Sequence, residues 1–164
     1  MEKLKLGKIV NTRGLKGEIK ILLNPLYYDI EFKKQALIEI GEKELVLSSY
    51  KKEKNILFMF LVNYTDINDV LKFKGESIII TSKELKKKPA DLFYSYQLLH
   101  LVVLDQFKEN IGIVIAVEDT GWQKILRIKR PDGTHVLVPW VMAFVKDISL
   151  KNNEIIIETI EGLL

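Results

Sequence analysis

The sequence predicts an all-β protein that is built from two small β-barrels in tandem. Short apolar runs separated by turn signals recur along the chain, and only one short stretch has helical periodicity. Many short strands are typical of closed barrels, because closure removes exposed sheet edges. Three lysines at 86–88 and then Pro89 interrupt this pattern. Unpaired lysines cannot be buried in a core, and proline has no N–H to donate to a sheet, so this stretch is expected to be exposed. We therefore expect domains at 1–85 and 92–164, joined by a linker at 86–91.

The first half is predicted to hold short strands and one helix. The opening segment has only a weak strand pattern, whereas Glu18–Leu23 alternates clearly between apolar and polar residues. Thr65 or Asp66 can cap a helix whose apolar residues recur at helical spacing and which ends at Lys74 and Gly75. Further strands are predicted at 37–40, 44–49, 55–61 and 77–81.

The loop Thr12–Gly17 joins the first two predicted strands. Its two glycines permit a sharp reversal, and Arg13 and Lys16 would project from it. One interpretation is a contact with RNA phosphates or backbone; the other is a hairpin turn with solvated charges. The loop is not a nucleotide-binding P-loop, because no Gly-Lys-Ser/Thr ends it.

The second half repeats the strand pattern without a clear helix. Gly112 is expected at a bulge or at a close approach of two backbones. Residues 131–134 form a tight-turn signal, and the apolar residues 140–145 are expected to form a lid. Strands are predicted at 98–104, 111–117, 124–130, 136–138, 146–150 and 154–158.

The composition limits the function. The chain has 164 residues, 48% of them hydrophobic, a net charge of +3 and no cysteine, so disulfides and thiolate chemistry are excluded. There is no signal-peptide core and no apolar run near the ~20 residues of a membrane span. We expect a cytoplasmic protein with no membrane partner, no metal and no cofactor.

No catalytic motif is evident. His100 lies in an apolar run and is expected to be a core residue, and His135 follows a turn. No metal-ligand spacing, nucleophile elbow or cofactor loop occurs, which favours a binding protein over an enzyme. Two alternatives stay open: a small-molecule-binding or hydrolytic barrel that uses one histidine, and a generic RNA-binding barrel led by Arg13, Lys16 and the hinge lysines.

Aromatic residues at the start of the second barrel are the best candidates for a partner-binding surface. Phe93, Tyr94 and Tyr96 cluster there, and Trp122 lies in a later turn where a large ring is hard to bury. Adjacent residues of an extended segment point to opposite faces, so one of Phe93 and Tyr94 should face outward. Aromatic rings with a polar tip are typical interface anchors.

Five segments together resemble one known family, that of the ribosome maturation factor RimM. They are KIVNTRGLKGEI at 8–19, FYSYQLL at 93–99, IGIV at 111–114, VLVPWV at 136–141 and EGLL at 161–164. The resemblance implies a barrel similar to that of translation factors, followed by a PRC barrel. It also implies a non-catalytic monomer that assists assembly of the small-subunit head and processing of small-subunit ribosomal RNA.

The implied partners are the small ribosomal subunit and a head protein of the S-nineteen family, with direct contact to ribosomal RNA left open. The family's tyrosine pair falls on Phe93 and Tyr94, so one hydroxyl is missing. The family's following tryptophan, acidic residue and glycine are Ser95, Gln97 and His100 here. These departures affect the contact geometry more than the fold.

Overall fold

The computed structural model describes two compact units, which correspond to residues 1–89 and 90–164. The described residues are 2–88, 93–119, 123–140 and 145–159. None of the described helices is long and apolar enough to span a membrane. The domain boundaries at residues 85 and 92 stay a prediction.

The N-terminal unit is a closed barrel of antiparallel strands, as the sequence predicts. The strands follow one another around the barrel in the order β1-β2-β5-β4-β3-β6. Their bounds are β1 Lys3–Arg13, β2 Glu18–Leu23, β3 Leu37–Ile40, β4 Lys43–Glu53, β5 Ile56–Leu61 and β6 Ser77–Thr81. Buried leucine, isoleucine and methionine side chains of the strands fill the interior, and buried residues alternate with more exposed ones throughout β2, β3 and β6.

Two bulges explain why β1 has a weak strand pattern in the sequence. The register shifts between Lys5 and Gly7 against β6, and again between Ile9 and Asn11 against β2. An extra residue changes which side of the strand faces the core, so buried Leu6 is followed by buried Ile9 three positions later. A strict two-residue period therefore cannot identify this strand.

The predicted helix of the N-terminal unit is confirmed as α1, Ile67–Val70, which continues into a 3-10 turn at Leu71–Phe73. Asp66 caps it, because its carboxylate accepts a hydrogen bond of 2.8 Å from the Asn68 N–H. The Asp69 carboxylate accepts in return from the Asp66 N–H at 3.2 Å, which completes a capping box.

The C-terminal unit is a six-stranded sheet in the order β10-β9-β8-β7-β12-β11. The pair β7 and β12 is parallel, and the other pairs are antiparallel. The strands are β7 Val102–Leu104, β8 Asn110–Asp119, β9 Lys124–Lys129, β10 His135–Pro139, β11 Val145–Ser149 and β12 Glu154–Ile157. A short helix, α2, Ser95–Leu98, precedes them.

The apolar run at 98–104 is not the single buried strand that the sequence predicts. Its first residue ends α2, a turn follows, and only Val102–Leu104 is strand. His100 has a φ of 69°, and its side chain is exposed rather than in the core. Its N–H donates to the carbonyl of Val114 at 2.8 Å, so the reversal is fixed by the sheet and not by local apolarity.

Gly112 lies at a close approach of two backbones, which confirms its predicted role. A Cβ at this position would be 2.2 Å from the carbonyl oxygen of Lys129. The register of β7 against β8 also shifts between Val103 and Leu104, next to this glycine. Residues 141–144 of the predicted lid and the terminal residues 160–164 lie outside the described part of the chain.

Candidate functional site

The aromatic segment, Phe93 to Leu98, opens the described part of the C-terminal unit. Phe93 is half-buried and packs against the apolar core of this unit. The Tyr94 side chain is only 4% exposed, and Tyr96 is half-buried. The segment therefore presents parts of the Phe93 and Tyr96 rings and uses Tyr94 mainly for packing. Of the first two rings, one of which the sequence predicts to face outward, Tyr94 is buried, whereas Phe93 is only half-buried.

A local capping arrangement produces the turn into α2 directly after Tyr94. The Tyr94 N–H donates to the side-chain oxygen of Gln97 at 2.8 Å, and the Gln97 N–H donates to the Tyr94 carbonyl at 3.0 Å. Glutamine and glutamate both have an oxygen that accepts a bond of this kind three positions into a helix. Gln97 can thus fill the structural role of the acidic residue that the family resemblance implies here.

The ring of Tyr96 is stacked on that of Tyr94. Their centroids are 6.2 Å apart and their planes differ by 17°. Stacked aromatic rings contribute beyond the area that they bury. The more accessible ring of Tyr96 thus packs on the buried ring of Tyr94.

Trp122, the fourth aromatic residue predicted to contact a partner, lies outside the described residues. Its role stays a prediction.

An exposed aromatic ring that sequence reasoning missed lies at Phe107, which is 76% exposed. Its loop is held by buried Asp105, whose carboxylate accepts from the N–H groups of Phe107 at 2.8 Å and Glu109 at 2.9 Å. The side-chain amide of Gln106 is hydrogen-bonded to both the backbone and the hydroxyl group of Thr159. The signal in the sequence is an Asp-x-Phe turn, in which the aspartate fixes the backbone that carries the ring.

Arg13 and Lys16 lie where the sequence predicts, at the β1–β2 hairpin. The Arg13 guanidinium lies 3.7 Å from the centroid of the Phe58 ring and also pairs with Glu18. Lys16 is exposed at the loop. The Ile67 N–H donates to the carbonyl of Leu15 at 2.9 Å, which ties the loop to α1. A contact of these two basic residues with RNA stays a prediction.

Charges near this hairpin are partly paired. Lys51 contacts Glu53 at 2.8 Å, and the hydrogen bond between them is the main reason that the pKa of Glu53 is lowered. The positive charge of Arg13 lowers it further by a smaller amount. The lowered pKa of Glu53 thus reflects mainly its own contact with Lys51.

The two histidines lie on different elements of the C-terminal unit, and both are exposed. His100 is in the turn after α2, and His135 is exposed at the start of β10. A cleft of about 150 Å³ in the N-terminal unit is lined by residues that include Thr81 and Glu84, and neither histidine lines it. Among the described residues, no group of His, Asp and Glu side chains is arranged to hold a metal ion.

Comparison with known proteins gives full-length matches. The family model described as the RimM N-terminal domain matches residues 4–85, and that of the RimM PRC barrel domain matches residues 96–163. The "Ribosome maturation factor RimM" of Oenococcus oeni is 30% identical over 99% of this chain and 98% of its own length. The protein of the same name from Exiguobacterium sibiricum is 31% identical over 100% of this chain and 99% of its own.

A solved structure also matches, the solution structure of the N-terminal domain of RimM from Thermus thermophilus. It covers 53% of this chain and 98% of that chain, at 15% identity and a TM-score of 0.43, too low to bear on the fold. The two family models and the full-length relatives agree with each other and with two β units in this order. The chain therefore belongs to the RimM family, with a RimM N-terminal domain followed by a RimM PRC barrel domain.

Proposed function

We propose that this protein is an accessory factor in ribosome biogenesis that assists assembly of the small-subunit head and processing of small-subunit ribosomal RNA. It does so by binding a head protein of the S-nineteen family. Family membership across both units supports this role most directly. The family is one of non-enzymatic maturation factors, which confirms that the chain is not an enzyme and sets aside the hydrolytic barrel.

The aromatic segment supplies the contact in this proposal. Phe93 and Tyr96 offer ring surface on a capped turn, and the buried Tyr94 ring holds Tyr96 in place. Rings fixed in advance lose little conformational entropy on binding, which is why aromatic residues dominate the energy of many interfaces. Phe107 adds a second ordered ring on the same unit.

The charge of the C-terminal unit suits such a partner. Residues 90–164 contain 7 Lys and Arg against 10 Asp and Glu, a net charge of −3. Proteins that bind RNA carry an excess of basic residues that neutralise phosphates. An acidic unit with aromatic rings therefore complements a basic ribosomal protein by charge and by apolar contact.

Assistance of this kind requires differential binding. The factor promotes assembly only if it binds the immature head more tightly than the mature one, since a ligand with equal affinity for both states shifts nothing. No covalent chemistry is needed, because release follows when the mature interface covers the shared surface. The cytoplasmic location and the monomeric state stay predictions.

The direct test is calorimetric titration of the full chain with a purified ribosomal protein of the S-nineteen family. We expect binding by the wild type and a loss of at least about tenfold in the F93A/Y96A double variant, the size of a hot spot of about 1.4 kcal/mol or more. The matched control is I113A/L137A, which removes exposed apolar side chains of the same unit outside the segment. Equal affinity of both double variants would exclude the aromatic segment as the contact.

A further inference from the structure

The two units carry opposite net charges. Residues 1–89 contain 18 Lys and Arg against 12 Asp and Glu, a net charge of +6, whereas residues 90–164 have −3. The net charge of +3 for the whole chain hides this division. A basic unit attached to an acidic one indicates that the N-terminal unit faces an anionic partner of its own.

Strand register gathers basic side chains on one outer side of the N-terminal barrel. Asn11, Lys20, Phe58 and Lys51 are successive partners across β1, β2, β5 and β4, so their side chains share one face. Ile19 and its inward-pointing neighbours in β2 are buried, which makes this face the outer one.

Lys8 joins the same face one row further along the hairpin, because it pairs with the exposed Leu22. Arg13 pairs with Glu18 at the other end, and Lys16 follows in the loop. These five residues, Lys8, Arg13, Lys16, Lys20 and Lys51, form what we call the basic face. The four residues of the β1–β2 hairpin are spread over roughly 15 Å along it, and Lys51 lies on β4.

The members of the basic face differ in availability. Arg13 is paired with Glu18 and lies on Phe58, and Lys51 is paired with Glu53. Lys8, Lys16 and Lys20 make no ion pair within the residues that the structure describes. The ammonium groups of these three lysines, two on the strands and one in the loop between them, are therefore open to an external anion.

The aromatic ring at the centre of this face is not open to a ligand. Phe58 is only 6% exposed, and the Arg13 guanidinium covers it. Proteins that bind single-stranded RNA by base stacking need accessible aromatic rings, and Phe58 does not provide one. What it offers is positive charge along a rigid strip, which matches a phosphate backbone.

We propose that the basic face of the N-terminal unit contacts the phosphate backbone of small-subunit ribosomal RNA without reading its sequence. Such a contact presupposes the proposed role in ribosome maturation, because that role brings this anion within reach. The acidic unit would then contact protein while the basic unit contacts RNA. Each contact can be removed without the other, since they lie on different units.

The test uses the full chain and a protein-free transcript of small-subunit ribosomal RNA, with affinity measured by fluorescence anisotropy at salt concentrations of about 50 to 200 mM. The variant K8E/K16E/K20E reverses the three unpaired lysines of the basic face. The control variant K34E/K43E/K83E makes the same change in charge at three exposed lysines of the same unit outside this face. Thermal unfolding of each variant checks the fold.

We expect the basic-face variant to lose at least about tenfold in affinity at low salt. Its slope of log affinity against log salt should flatten by about 2, since each lost phosphate contact removes about 0.7 to 0.9. The control variant should keep the wild-type affinity at low salt and the wild-type slope. Equal losses in the two variants, or no loss in either, would overturn the proposed face.

Two further outcomes separate this contact from the proposed function. The F93A/Y96A variant should bind the naked transcript like the wild type; a loss there would place the RNA contact on the aromatic segment instead. If K8E/K16E/K20E binds the transcript normally but fails to associate with small-subunit precursors, the face contacts an acidic protein, and the RNA proposal is wrong.

Discussion

Tyr96 is stacked on Tyr94, with ring centroids 6.2 Å apart and planes inclined by 17°. Tyr94 is buried, whereas Tyr96 retains exposed surface. The inner ring thus belongs to the fold and the outer ring to the surface, although the two residues are only two positions apart. Replacement of each should have a different effect.

Tyr94→Ala should lower the free energy of unfolding by about 3 kcal/mol, because it leaves a cavity where a large buried ring was. Tyr96→Ala should lower it by about 1 kcal/mol, mainly through the lost ring contact. Chemical denaturation of the two variants measures both values. Equal losses would contradict the division of roles between the two tyrosines.

Gln97→Ala should lower the free energy of unfolding by about 1 kcal/mol, since the Tyr94 N–H loses its side-chain acceptor at the start of α2. Gln97→Glu should retain the wild-type value, because a carboxylate oxygen accepts the same bond. Thermal denaturation distinguishes the two. A loss in the glutamate variant as large as in the alanine variant would mean that the amide group has another role.

His100→Gly should raise the free energy of unfolding by up to about 1 kcal/mol. The residue has a φ of 69°, which costs a non-glycine residue about 1 to 2 kcal/mol, partly offset by the greater freedom of unfolded glycine. His100→Ala is the control, because it removes the side chain and keeps the strain. The account of this turn fails if the glycine variant is no more stable than the alanine variant.

Phe107→Ala should weaken association with small-subunit precursors by about fivefold or more while changing stability by less than about 0.5 kcal/mol. The ring is exposed and its loop is held by Asp105 independently of the ring. Leu150→Ala, another exposed apolar residue of the same unit, is the control for non-specific loss. Association is measured by co-sedimentation, and equal affinity of the two variants would exclude Phe107 from the interface.

Local signals in the sequence were sufficient for much of the fold. The alternation in Glu18–Leu23, the cap at Asp66 and the close approach at Gly112 all follow from short-range chemistry, and each is confirmed. The bounds and the inward-facing residues of β1 could not be predicted from local alternation, because its two bulges break the two-residue period. The turn at His100 was missed because a bond to Val114, distant in sequence, fixes it.

The candidate site was less accessible to sequence reasoning. Clustering of aromatic residues located the segment that begins at Phe93, but burial of Tyr94 depends on packing that no local pattern encodes. Phe107 was missed because exposure of an apolar side chain is a tertiary property. The opposite net charges of the two units can be found from the sequence alone, if the charged residues of each half are counted separately.

Co-sedimentation with small-subunit precursors tests the central claim most directly. Precursors and mature small subunits are isolated from cells that lack this protein, and wild type, F93A/Y96A and I113A/L137A are added in turn. The account predicts that the wild type and the control migrate with precursors and much less with mature subunits, while folded F93A/Y96A, which keeps only the RNA contact, migrates with precursors much less than the wild type does. Undiminished migration of F93A/Y96A with the precursors would contradict it.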